Sequence, residues 1–132
     1  SLGGAQRCLD DTISYVKERR QFGQRIADFQ NTQFMLADMK TQLEAARALM
    51  YIAADKVSRE AADKNQWAAM AKLMSTETGS KVANDALQLH GGYGYLMDFP
   101  IERFVRDLRV HEILEGTNQI MRFVIGRELV GQ

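Results

Sequence analysis

The sequence predicts an all-α fold, an up-and-down four-helix bundle in one domain. Three observations carry that reading. Pro100 is the only proline among 132 residues, which leaves long stretches without a helix breaker. Apolar residues recur in steps of three and four, most clearly at Leu36, Met39, Leu43, Ala46, Met50, Ala53 and Val57. Glycines stand where helices should stop, at Gly23 and at Gly91-Gly92.

Each element follows from local pattern. A first helix is expected over 4–20, with Leu9, Ile13 and Val16 turned inward. Gly23 then supplies a flexible break inside "RRQFGQRIADF". The second helix carries the periodic face above, while Asp38, Lys40, Glu44 and Arg47 lie mostly off it. Asn31 or Thr32 supplies its cap. A third helix is expected over 66–90, burying Trp67, Met70, Met74, Val82, Ala86 and Leu89. "YGYLMDFP" is a connector, and Pro100 opens a short helix through Val105. Thr117 caps a last helix that ends near Leu129. Four long helices joined by short connections make a bundle.

Composition excludes several classes of function. The 17 basic and 17 acidic residues cancel, so no net field draws in nucleic acid or an anionic membrane. The longest apolar run, from Ala48 to Ala54, falls far short of the roughly 20 residues a membrane-spanning helix needs. The single cysteine, Cys8, has no partner for an internal disulfide and reads as a small core hydrophobe in a reducing compartment. The opening "SLGGAQRCLD" has no basic segment of the kind that begins a signal peptide.

Candidate sites are few. A di-metal bundle site needs two Glu-x-x-His motifs, and neither of the two histidines follows a glutamate by three, so no metal site is expected. "GGYGY" lacks the third glycine of a G-x-G-x-x-G loop and follows a helix, so it reads as a helix stop. "KERRQFGQR" alone is a solvated basic helix end, and His90 alone is a helix-end group. "HEILEGTNQI" is different, because it halts a helical pattern for a glutamate set directly against a glycine.

Taken together, several segments resemble one family. "ERRQFGQRIADFQNTQFMLADM" and "QLHGGYGYLMDFPIERFVRDLRVHEILEGTNQIMR" are similar to the C-terminal helical domain of acyl-CoA dehydrogenases, in order, spacing and helix length. The resemblance runs over essentially the whole chain. It implies that residues 1–132 are that domain alone, without the N-terminal helical domain and middle β-domain of such enzymes, and inactive by themselves. It implies an FAD-dependent oxidoreductase that desaturates an acyl-CoA thioester between C2 and C3.

By that resemblance Glu115 is the catalytic base for the C2 proton and its backbone N–H polarises the thioester carbonyl. Gly116 lets the substrate approach the backbone. Arg19, Gln21 and Phe22 would meet the adenosine-diphosphate part of FAD, with Gln30 nearby. Gln88, Gly91 and Gly92 would line the same groove, and Thr117 and Gln119 would meet FAD near the base. The two groups would serve different FAD molecules across a subunit interface of a homo-oligomer, commonly a tetramer. Electrons would pass to an electron-transfer flavoprotein. "HGGYGYL" and "VRDLRVHEILEG" look most like short branched-chain members such as those acting on isobutyryl-CoA, in a bacterial cytoplasm or a mitochondrial matrix. The rival reading is a non-catalytic helical interaction module, which would need neither Glu115 nor the Arg19 cluster.

Overall fold

The computed structural model describes residues 1–131. Five α-helices order the described residues: α1 (Leu2–Glu18), α2 (Gln30–Ser58), α3 (Lys64–His90), α4 (Ile101–Val110) and α5 (Asn118–Val130). A two-stranded antiparallel hairpin, β1 (Arg20–Gln21) and β2 (Gln24–Arg25), joins α1 to α2. The helical bundle is the expected one, except that the short helix after Pro100, α4, runs on to Val110 instead of stopping at Val105 and adds Ile101 and Leu108 to the core.

The core follows from helical periodicity. Leu2, Ala5, Cys8, Leu9, Thr12 and Val16 line one face of α1. Leu2, Ala5, Cys8 and Leu9 meet Met39, Leu43 and Ala46 of α2 and Val82, Ala83 and Ala86 of α3. Ile101 and Leu108 of α4 close one end of the same cluster. Thr12 enters this core because its hydroxyl donates to the Cys8 carbonyl at 2.6 Å.

Three expectations need correction. The stretch around Gly23 is a tight hairpin rather than a flexible break. Arg20 pairs with Arg25 and Gln21 with Gln24, leaving Phe22-Gly23 as a two-residue loop. Both loop residues have left-handed backbone, φ 55° and 79°, as the turn that suits strand twist requires. That pairing also ends α1 at Glu18. The cap of α2 is Phe29, not Asn31 or Thr32, and no side chain caps it. A short 3₁₀ turn at Ile26–Asp28 delivers the chain already wound, and the Gln33 side chain bonds the Ala27 carbonyl at 3.1 Å.

The third correction concerns burial. Met50, Val57 and Met74 are exposed, at 36%, 45% and 36%. The 17 residues of α1 extend about 26 Å, whereas α2 and α3, at 29 and 27 residues, extend about 44 and 40 Å. Beyond the start of α1, α2 and α3 run on without it. α3 is also the axis of the bundle, touching α1, α2, α4 and α5. Helices approach it from several sides, so its buried positions are small: Ala69, Ala71, Thr76, Thr78, Gly79, Val82, Ala83 and Ala86.

Cys8 is fully buried. Burial, with the Asp11 charge adding to it, pushes its thiol up to about 12. Alkylation by iodoacetamide near pH 8 should therefore follow unfolding rather than precede it. Labelling that is fast while the far-UV spectrum stays native would contradict this.

Candidate functional site

Two groups of the residues singled out in the sequence come together separately. The first surrounds a groove of about 510 Å³ where the ends of α1 and α3 meet the hairpin. Arg19, Gln21, Gln88, Gly91 and Gly92 all line it. The helix stop at Gly91 is a left-handed residue, φ 59°, and the space above Gly91 and Gly92 is open.

An aromatic cluster holds this groove, and the sequence reading missed it. Tyr15 stacks on His90 with ring centroids 4.2 Å apart, and the Tyr15 hydroxyl donates to the His90 carbonyl at 3.3 Å. His90 Nδ1 lies 2.8 Å from the Ala86 carbonyl oxygen. A carbonyl only accepts, so Nδ1 carries the proton. Phe99 meets both rings edge-on, and Tyr93 meets Phe99. The available signal was the i,i+4 spacing of Tyr15 and Arg19, which places both on one face of α1.

Arg19 lies over the Tyr93 ring, 5.0 Å from its centroid. Among the described residues its guanidinium has no carboxylate partner and makes no hydrogen bond. The groove thus offers an unpaired, planar cation beside amide side chains and an open glycine turn. That donor set suits a pyrophosphate with an attached ring system. Phe22 and Gln30 do not line it. Phe22 is 92% exposed at the hairpin tip, edge-on to Phe29, and Gln30 is exposed at the start of α2.

The second group sits on the turn between α4 and α5. Glu115 has a left-handed backbone, φ 57°, and Gly116 follows at φ 87°. A side chain at Gly116 would be strained by that φ, and its Cβ would displace the Met121 methyl carbon, 2.9 Å away at the end of a flexible side chain. Thr117 caps α5 as expected, its hydroxyl accepting from the Ile120 N–H at 3.3 Å. The Asn118 N–H closes the loop onto the Glu112 carbonyl at 2.9 Å.

This geometry leaves Glu115 available. Its side chain is exposed and, among the described residues, makes no hydrogen bond or ion pair. Among the described residues its backbone N–H has no partner either. A carboxylate and an adjacent free N–H on one left-handed residue can take a proton and stabilise the oxyanion that its loss creates. A non-glycine residue held in this region costs about 1–3 kcal/mol, and such residues gather at functional sites. Glu112 is placed differently, 3.6 Å from Arg109 and close enough to Lys72 for its charge to be felt there.

Gln119 is exposed in the first turn of α5 beside Thr117. The two groups are well separated. Lys72 and Thr76 of α3 meet the second, and Gln88 of α3 belongs to the first. Sixteen residues of helix from Lys72 to Gln88 correspond to about 24 Å.

Comparison with known proteins gives a consistent picture. Residues 1–130 match the family model described as acyl-CoA dehydrogenase, C-terminal domain. The mitochondrial isobutyryl-CoA dehydrogenase of Dictyostelium discoideum is 50% identical over 129 residues, which cover 98% of this chain and 31% of that protein. The CarC subunit of the caffeyl-CoA reductase–Etf complex of Acetobacterium woodii is 47% identical over 130 residues, covering 98% of this chain and 34% of that one. The structure of butyryl-CoA dehydrogenase from Megasphaera elsdenii superposes with a TM-score of 0.94 at 41% identity, over 98% of this chain and 33% of that one. The chain spans about a third of the length of these relatives.

Proposed function

The chain belongs to the acyl-CoA dehydrogenase family, as a C-terminal domain of it, and from that premise we propose that it is the base-carrying part of an FAD-dependent enzyme that desaturates acyl-CoA thioesters. The observation that carries this is Glu115: an exposed carboxylate on a left-handed residue, its side chain and its own N–H both without a partner among the described residues, and a glycine beside it.

In the proposed reaction Glu115 accepts the proton from C2. The electron pair of that C–H bond becomes the second bond between C2 and C3, and the C3 hydrogen departs with its own pair. The acceptor for that hydride would be FAD, when bound. The Glu115 N–H donates to the thioester oxygen as negative charge builds there. Gly116 would let the thioester approach the backbone, at a φ of 87° that a side chain would strain. Thr117 fixes where the turn ends and α5 begins.

Arg19, Gln21, Gln88, Gly91 and Gly92 would hold the adenosine-diphosphate part of FAD in the groove, with Phe22 and Gln30 at its margin. Thr117 and Gln119 would meet FAD near the base. The separation of the two groups along α3 supports their serving different FAD molecules in a homotetramer. Exposed Tyr51 and Ile52 on α2 and Phe123, Leu129 and Val130 on α5 support burial of these faces against other copies. The N-terminal helical and middle β-domains of the longer protein would complete each site.

A short branched acyl-CoA is the first substrate to test, supported by the identity with an isobutyryl-CoA dehydrogenase. An electron-transfer flavoprotein is the proposed electron acceptor, supported by the relative named as part of an Etf complex. No described helix is long and apolar enough to cross a membrane. A mitochondrial matrix or a bacterial cytoplasm would suit the enzyme. The test is anaerobic mixing of the full-length flavoprotein with isobutyryl-CoA and other short acyl-CoAs. Bleaching of the flavin is expected, and a full-length protein that none of them bleaches would overturn the proposal.

A further inference from the structure

The turn that carries Glu115 is tied to the bundle by one cation. Lys72 Nζ donates to the Gly116 carbonyl at 2.7 Å and to Asn118 Oδ1 at 2.7 Å. Thr76, one helical turn on, places its hydroxyl 3.1 Å from the same Asn118 oxygen. Among the described residues, no other side chain from outside the turn bonds residues 115–118. Asn118 is buried, and its Nδ2 has no partner among the described residues. Its amide is therefore oriented by what its oxygen accepts.

We propose that Lys72 is a positioning residue for the base, its ammonium clipping the Gly116 carbonyl and the Asn118 side chain to α3 and so holding Glu115 in its left-handed conformation. Both partners only accept, so the site needs a donor with at least two hydrogens at the end of a long stem. An ammonium carries three. Its bonds are charge-assisted, which makes them stronger than neutral ones. Desolvation lowers the Lys72 pKa, and the Glu112 charge opposes that shift. Glu115 and Gly116 are adjacent left-handed residues between two helix ends. Without the clip only Thr76, through the Asn118 side chain, would tie the turn to the central helix.

The inference rests on Glu115 being the base, and the test separates the two ideas. In the full-length flavoenzyme, Lys72→Met removes the ammonium and keeps the stem. The limiting rate of anaerobic flavin bleaching by isobutyryl-CoA should fall about 10–100-fold, because a misplaced reacting group forfeits orientation. The Kd for isobutyryl-CoA and the bound FAD should stay within about twofold, since neither contacts Lys72 in this scheme. Hydrogen exchange read by mass spectrometry should quicken over residues 112–118 and stay unchanged in α1 and α2.

Asn118→Asp reads the same contact with the opposite sign, turning it into an ion pair, and should slow exchange over that segment. It decides the question should Lys72→Met not fold. Unchanged exchange over 112–118 in Lys72→Met, or faster exchange with an unchanged bleaching rate, overturns the proposal, as does unchanged or faster exchange in Asn118→Asp. If Glu115→Gln still reduces flavin normally, the base assignment falls, and the exchange measurement alone decides whether Lys72 holds the turn.

Discussion

Flavin reduction in the full-length enzyme is expected to fall about 10²–10⁴-fold or more when Glu115 is replaced by Gln, with FAD and acyl-CoA binding largely kept. The amide has the shape of the carboxylate and much of its hydrogen-bonding capacity. It cannot accept the C2 proton at neutral pH. The backbone N–H of residue 115 survives the substitution, so the polarising contact to the thioester oxygen remains. The loss therefore isolates proton removal from carbonyl activation. Glu112→Gln is the matched control. Its carboxylate lies on the Arg109 side and its backbone carbonyl, which the substitution leaves in place, closes the loop to Asn118. Little change is expected. Rapid bleaching in the Glu115 variant with lost bleaching in the Glu112 variant would assign the base to Glu112 instead.

Leu43→Ala should destabilise the fold by about 3 kcal/mol, within the range of about 2–5 kcal/mol for leucine truncated in a closed core. Leu43 is fully buried where α2 meets α3. Part of the loss is transfer free energy, about 0.8 kcal/mol for each buried methylene-sized group. The rest depends on whether neighbours can fill the void. Ala46, Ala83 and Ala86 share its cluster, and alanine side chains cannot extend into a gap. Relaxation would require α2 and α3 to move together, and α1 and α4, packed against α3, oppose that. A lowered urea midpoint by far-UV circular dichroism would report the loss. Asp38→Ala, on the exposed side of the same helix, should change stability by less than about 0.5 kcal/mol. Equal effects at the two positions would mean that the α2–α3 seam is not the core of this domain.

Local chemistry made much of this molecule legible in the residues themselves. Helix ends that carry a local signal follow from it, so α3 ends at His90 before a left-handed Gly91 and α5 starts behind a Thr117 cap, whereas α1 and α4, without such signals, end at Glu18 and Val110 rather than at Arg20 and Val105. The oddity of Glu115-Gly116-Thr117 was visible as a glutamate-glycine pair interrupting helix. What that glutamate is for came from resemblance, because spacing alone does not distinguish a base from a helix-end carboxylate.

Partnership between distant elements was decided only by the tertiary structure. Periodicity identifies an apolar face but cannot say how far a neighbouring helix reaches along it. Met50, Met74 and Val57 sit on apolar faces of helices that outrun α1, and so they emerge. Phe22-Gly23 reads equally as a loose link or a hairpin tip until Arg20 finds Arg25. Lys72 looks like any surface lysine, yet 44 residues along the chain its Gly116 partner lies 2.7 Å away. Such contacts join groups that share no local pattern. They arise when α5 packs along α3 and brings an ammonium within reach of a carbonyl and an amide oxygen, both of which only accept.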